Sequence, residues 1–317
     1  MNKIKYISIV FCFFAASALA QTKPVFKVIP LGVYGGSDES NLSAYMLATV
    51  GTEDYVCLDA GTLHAGIEKA RANHIWYVDA DTVITSFIKG YLISHAHLDH
   101  LAGLIINSPD DKPKKIYGLS YTLNVLRDNY FTWKSWANFG SDGDKPILNK
   151  YHYTPLTPGV KTPLDNTTMS VQAFVLSHGN PYESTAFLVR SNSSYILYLG
   201  DTGADEIEKS DKLHQLWDYV GPLIKAKLLK TIMIEVSFPN EQPDKSLFGH
   251  LTPRLLMNEM AALSKIAGPE AMKNFPIVIT HIKPHGNHIA DIKKQLAAGN
   301  SLQLKLIYPE QGKMLEF

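Results

Sequence analysis

His95-Ala96-His97-Leu98-Asp99-His100 places four metal-capable side chains in six positions, directly after the apolar run Tyr91-Leu92-Ile93-Ser94. In an extended loop, residues two apart point to one side, so His95 and His97 can grip one ion together. A helix expected from near Leu101 turns Asp99 and His100 in another direction, where they can serve a second ion. Imidazoles with a carboxylate suit zinc, or manganese or iron at higher coordination. A solvated histidine-rich loop is the bland alternative, and the strand–loop–helix context argues against it.

Two ions need more than four ligands, and further candidates stand at strand ends downstream. His178 follows Phe174-Val175-Leu176-Ser177, Asp201 follows Ile196-Leu197-Tyr198-Leu199-Gly200, and His281 follows Pro276-Ile277-Val278-Ile279-Thr280. Any one of them reads as a structural histidine or a turn aspartate. Their shared place, after apolar strands, is what gives the set its weight.

Outward from these loops, short apolar runs alternate with helical stretches along the whole chain. Strands are expected at 26–31, 43–49, 55–59, 88–94, 168–177, 184–190, 195–200, 231–236, 276–281 and 302–308. Helices are expected near 63–72, 101–106, 205–227, 253–266 and 288–298. Residues 128–165 have the least regular pattern. They hold Tyr130, Trp133, Trp136 and Phe139 among Gly, Asn, Asp and Pro. No repeat or low-complexity tract interrupts the alternation, which argues for an α/β sandwich in one domain.

Residues 1–20 (MNKIKYISIVFCFFAASALA) read as a cleavable leader, with Lys3 and Lys5, an apolar run from Ile7 and the small-x-small ending Ala18-Leu19-Ala20. The catalytic domain is then 21–317. Cleavage removes Cys12 and leaves Cys57, in Tyr55-Val56-Cys57-Leu58, as an expected buried thiol. A leader on a cysteine-poor chain points to the bacterial periplasm or exterior, with no membrane attachment afterwards. The full chain has 30 Lys+Arg against 30 Asp+Glu; without Lys3 and Lys5 the balance is 28 against 30. Such a chain has no electrostatic footprint for a nucleic-acid polymer. Hydrophobic residues at 45% and charged residues at 19% exclude a disordered or fibrous chain.

The series His95-x-His97-x-Asp99-His100, His178, Asp201 and His281 resembles the metal-binding series of the metallo-β-lactamase superfamily, and Leu58-Asp59-Ala60-Gly61-Thr62 resembles its early acidic motif. A closer resemblance is to class II 3′,5′-cyclic-nucleotide phosphodiesterases. It is carried by His95 to Gly103, by Glu235-Val236-Ser237-Phe238-Pro239 and by Leu247-Phe248-Gly249-His250-Leu251-Thr252-Pro253. The resemblance runs from Val28 to Lys283. It implies a four-layer αβ/βα sandwich and two divalent ions, zinc first and manganese or iron as alternatives. His95, His97 and His178 would hold one ion, Asp99, His100 and His281 the other, with Asp201 bridging. Asp59 would orient ligands from behind, although a turn-capping role explains an Asp before Gly61 equally well.

The implied reaction is hydrolysis of cyclic AMP, with cyclic GMP as a second substrate, to the 5′-nucleotide. Two cations lower the pKa of a shared water from ~15.7 towards ~7, present it as a bridging hydroxide to phosphorus and neutralise the charge that builds on oxygen. Asp201 would take part as the bridge, and Asp99 and His250 are the candidates to protonate the departing 3′ oxygen. Thr252 and Pro253 read as a helix start, so His250 is alternatively a packed residue there. Lys283 could contact phosphate. The aromatics of 130–139 could stack on a base, or serve as a lid or homodimer contact. Other readings are a hydrolase of the same superfamily acting on a lactam, thioester, lactone or nucleic-acid phosphodiester, and a non-catalytic periplasmic nucleotide- or metal-binding protein.

Overall fold

Near-continuous apolar runs form strands that are covered on both faces. The computed structural model describes residues 23–317, and the expected leader lies outside the described residues. The strands are β1 (Phe26–Gly32), β2 (Ala44–Thr49), β3 (Tyr55–Leu58), β4 (Ile88–Leu92), β5 (Lys114–Gly118), β6 (Tyr151–Pro155), β7 (Thr162–Pro163) and β8 (Met169–Ser177). They continue as β9 (Glu183–Ser191), β10 (Ser194–Leu199), β11 (Leu229–Glu235), β12 (Pro276–Thr280), β13 (Lys305–Ile307) and β14 (Leu315–Glu316). One sheet has the order β14-β1-β2-β3-β4-β5-β6 and the other β13-β12-β11-β10-β9-β8-β7.

The side-chain period of two sorts each strand between two cores. In β2, Tyr45 and Leu47 face the other sheet, where they meet the cluster containing Phe187, Val189, Ile196, Met233 and Val278. Ala44, Met46 and Ala48 face outward, into the cluster that includes Ile67 and Ala70 of helix His64–Ala72 and Leu101 and Leu104 of helix Leu98–Asn107. The second sheet is covered the same way by helices Lys212–Lys225, Pro253–Ala267 and His288–Gly299, through Trp217, Leu256, Met260, Leu263 and Leu296. The result is the four-layer sandwich expected from the sequence.

Strand direction places the site. β3, β4, β5 and β6 are mutually parallel, as are β10, β11, β12 and β13. β8 shares the direction of β10 because both run antiparallel to β9. The carboxyl ends of β3, β4, β8, β10, β11 and β12 therefore supply the loops that meet.

Three local expectations are corrected. The helix expected from Leu101 starts at Leu98, so Asp99 and His100 lie in its first turn. The irregular stretch 128–165 contains β6, which pairs with β5 as the edge of its sheet. β5 itself escapes an apolar reading because it opens with two lysines. The Lys114 ammonium is buried by donating to the carbonyls of Ile84 and Ile88, at 2.7 and 2.9 Å, beside the Asp111 carboxylate at 2.7 Å. The final strand covers only Lys305–Ile307 of the expected 302–308. Cys57 is buried as expected, and burial pushes its thiol up, away from the reactive thiolate.

Candidate metal centre

One carboxylate oxygen organises the centre. Asp201 Oδ2 lies 3.3 Å from His100 Nε2 and from His281 Nε2, 3.7 Å from His95 Nε2 and 3.8 Å from His178 Nε2. His97 Nδ1 stands 3.3 Å from His178 Nε2, and Asp99 Oδ2 stands 3.1 Å from His281 Nε2. All seven residues expected as ligands are thus in one cluster. Three sets among them could hold a cation: His95 with His97 and His178, Asp99 with His100 and His281, and His95 with His100 and Asp201. Within each set the ligand atoms lie within 4.8 Å of one another.

The donors fit divalent ions. His95 Nε2 and His100 Nε2 are buried with no hydrogen-bond partner, a costly state for a polar atom unless a cation meets it. Zinc bonds of about 2.0–2.1 Å set tetrahedral ligand atoms ~3.3–3.4 Å apart, close to the shorter separations found here. Four rings are fixed from behind through Nδ1. His95 Nδ1 is 3.0 Å from Ser94 Oγ, His100 Nδ1 2.8 Å from Asp59 Oδ2, His178 Nδ1 2.8 Å from the Gly249 carbonyl and His281 Nδ1 3.0 Å from Ser237 Oγ. Such contacts fix ring orientation and leave Nε2 for the ion.

Asp59 is wholly buried. Besides contacting His100, it accepts from Ser94 N and Ser94 Oγ, both at 2.7 Å, and from the Tyr198 hydroxyl at 2.6 Å. Of its two sequence readings, the contacts match the orienting one. Asp59 and His281 both have φ of 55°, a left-handed conformation that non-glycine residues adopt at a cost and that clusters at functional sites.

His250 joins the cluster from the other side. Its Nδ1 donates to Glu235 Oε1 at 2.7 Å and lies 3.7 Å from Asp201 Oδ2. Glu235, fully buried at the end of β11, also accepts from Thr202 N, Leu251 N and Ser237 Oγ at 3.1, 3.2 and 2.6 Å. The expected helix start is present: Thr252 Oγ1 accepts from Leu255 N and Pro253 opens the helix. Burial opposes charge on His250, yet the Glu235 and Asp201 carboxylates outweigh it and raise the imidazole above its usual range. Burial, reinforced by His178, instead pushes His97 down to about 4, and burial also lowers His95 and His178. These three rings are therefore neutral near pH 7, the form that binds metal.

The family model described as cAMP phosphodiesterases class-II matches residues 77–306. The chain belongs to this family. A 3′,5′-cyclic-nucleotide phosphodiesterase of Aliivibrio fischeri is 44% identical over 307 residues, covering 92% of this chain and 93% of that protein. A probable 3′,5′-cyclic-nucleotide phosphodiesterase of Yersinia pestis is 36% identical, covering 92% of this chain and 89% of that protein. The crystal structure of unliganded yeast PDE1 matches with a TM-score of 0.82 at 22% identity, covering 93% of this chain and all of that one. The metallo-β-lactamase fold protein YhfI of Bacillus subtilis matches with a TM-score of 0.63 at 16% identity, again over 93% and 100%. Both show the fold.

In this class-II phosphodiesterase, Glu235, Ser237, Ser94 and Tyr198 contact the cluster or its supports although none is among the expected site residues. The signal for Glu235 was present: an acid closing the apolar run Ile232-Met233-Ile234 must be buried, and a buried carboxylate needs partners. Ser94 and Tyr198 carry no comparable signal, because a serine or tyrosine at a strand end is ordinary. Of the aromatics in 130–139, Trp133 Nε1 donates to the Pro146 carbonyl at 2.8 Å and Trp136 Nε1 to Ser108 Oγ at 3.0 Å, so both are engaged in their own neighbourhood. Tyr130 alone of the group donates to the histidine loop, to the Ala96 carbonyl at 3.1 Å.

Proposed function

We infer that the protein hydrolyses 3′,5′-cyclic nucleotides, cyclic AMP and also cyclic GMP, to 5′-nucleotides. The observation that carries this reading is the Asp201 oxygen held among imidazoles from both sheets, with a Glu235-backed His250 beside it. His95, His97 and His178 would hold one divalent ion, and Asp99, His100 and His281 the other, with Asp201 between them; the nitrogen-rich donor set favours zinc. When bound, the ions supply an activated water and neutralise charge building on phosphoryl oxygens.

The remaining work falls to side chains. Glu235 fixes His250 by accepting from Nδ1, which leaves Nε2 to carry a proton to the departing 3′ oxygen. Asp99 is the other group placed to do so, but Gly36 N and His281 Nε2 already contact its Oδ2, at 3.0 and 3.1 Å. These contacts favour a ligand role for Asp99 and the proton role for His250. Lys283 Nζ lies 5.8 Å from the Phe238 ring centroid, near Gly36. It offers a positive charge to a phosphate on the Asp99 side.

The periplasm or exterior is the site of action in this reading, supported by Lys3, Lys5, the apolar run and Ala18-Leu19-Ala20. The test is purified zinc-loaded protein assayed on cyclic AMP, cyclic GMP, a generic phosphodiester and a lactam. Turnover of the cyclic nucleotides far above the others is expected; a lactam or generic diester as best substrate overturns the assignment.

A further inference from the structure

The metal cluster is polar and largely buried, yet two aromatic residues on the segments beside it are exposed. Phe248 is 72% exposed and Tyr182 is 48% exposed. Both belong to the segments that hold His178. Tyr182 N donates to the Gly179 carbonyl at 3.1 Å, closing the turn that follows His178. The Phe248 backbone packs on the same turn: a Cβ placed on Gly179 would be 3.4 Å from the Phe248 carbonyl carbon. The Tyr182 ring lies 4.9 Å from the His97 ring, edge-on. Phe248 comes just before Gly249, whose carbonyl holds His178, and two residues before His250.

Phe248 also has φ of 52°. A bulky side chain in the left-handed region is strained, and such strain persists where the surroundings impose it, often at ligand clamps. Here it accompanies an exposed phenyl ring beside a buried ionic centre. Leu98, 59% exposed, follows His97 directly. Tyr130 is bonded to the Ala96 carbonyl, and burial first, then the nearby Tyr182 and Asp99, push its phenol up. The residues around Asp99 are different in kind, with Lys283 Nζ near Gly36, whose N donates to Asp99 Oδ2.

This asymmetry matches a cyclic nucleotide, which has an anionic phosphodiester at one end and a flat, weakly polar base at the other. We propose that Tyr182 and Phe248 form the base-binding platform, stacking on the purine while the phosphodiester occupies the metal centre. The proposal rests on the phosphodiesterase reading above and assigns the substrate's orientation within that site. Stacking is tolerant of base identity because every base has a π face, so the platform accepts adenine and guanine alike.

The test compares two competitive inhibitors of cyclic AMP hydrolysis, 5′-AMP, which has the base, and ribose 5-phosphate, which lacks it. Base–aromatic stacking contributes about 1–3 kcal/mol, which is roughly a 5- to 150-fold change in affinity. Tyr182→Ala and Phe248→Ala are each expected to raise the KM for cyclic AMP and the Ki for 5′-AMP within that range. Ribose 5-phosphate should shift less than about twofold, with two metal ions per chain retained. Tyr182→Phe and Phe248→Trp, which keep a ring, should restore 5′-AMP binding. Parallel weakening of both inhibitors, or no change for 5′-AMP, overturns the platform while leaving the activity standing. Wild-type protein that leaves cyclic AMP intact overturns the activity, and the platform with it.

Discussion

Asp201 is the carboxylate around which five imidazoles gather, those of His95, His100, His178, His250 and His281. It faces imidazoles from both sheets, and burial of its carboxylate is offset chiefly by His281 and His100, which hold its pKa well below the usual range. Asp201→Ala is expected to lower turnover by at least about a thousandfold and divalent-metal content below two per chain, with an unchanged far-UV spectrum. Near-normal activity would remove it as the bridge. His250→Ala should lower kcat by about 10²–10⁴, the usual worth of a positioned proton donor, with both metals kept. Metal loss in that variant would make His250 a ligand instead. Asp59→Ala frees His100 from behind, and a 10- to 100-fold loss of metal affinity is expected by titration against a chelator. The proposed ligands are legible in the sequence because four of them fall within six consecutive positions and three follow apolar strands. Their outer partners were less so: an oxygen from Ser94 or Ser237 acquires meaning only when the fold brings a histidine ring to it.

At the level of elements, the centre depends on how loops and helix starts are set. Gly249 has φ of 79°, and a Cβ there would come within 2.4 Å of the His178 carbonyl carbon. Gly249→Ala should therefore displace His178, and the expected readout is loss of one metal per chain before any loss of fold. Thr252 caps the helix that follows His250; Thr252→Ala should cost about 1 kcal/mol of stability by chemical denaturation. A larger loss of activity than of stability would show that the cap also sets the position of His250. Strand pattern alone placed most of the elements. It missed β5, where Lys114 is buried by finding carbonyls and a carboxylate, and β6, whose alternation of aromatic and polar residues lies inside a turn-rich stretch. The start of helix Leu98–Asn107 was displaced because its first turn is made of metal-capable residues, which read as loop.

For the whole molecule, the two halves of the chain contribute differently. Before β7 come His95, His97, Asp99 and His100; after it come His178, Asp201 and His281. Each proposed ion takes ligands from both. Chelation should therefore lower the melting temperature by several degrees or more, since an ion at a thousandfold excess over its dissociation constant stabilises by about 4 kcal/mol. Amide exchange should quicken chiefly in the loops after β4, β8, β10 and β12, and uniform or absent change would contradict this. The two proposed ions would then act as rivets driven through the seam between half-sandwiches. Losing one would not merely silence the chemistry but let the halves drift, so the speed of metal exchange would report how often that seam breathes open.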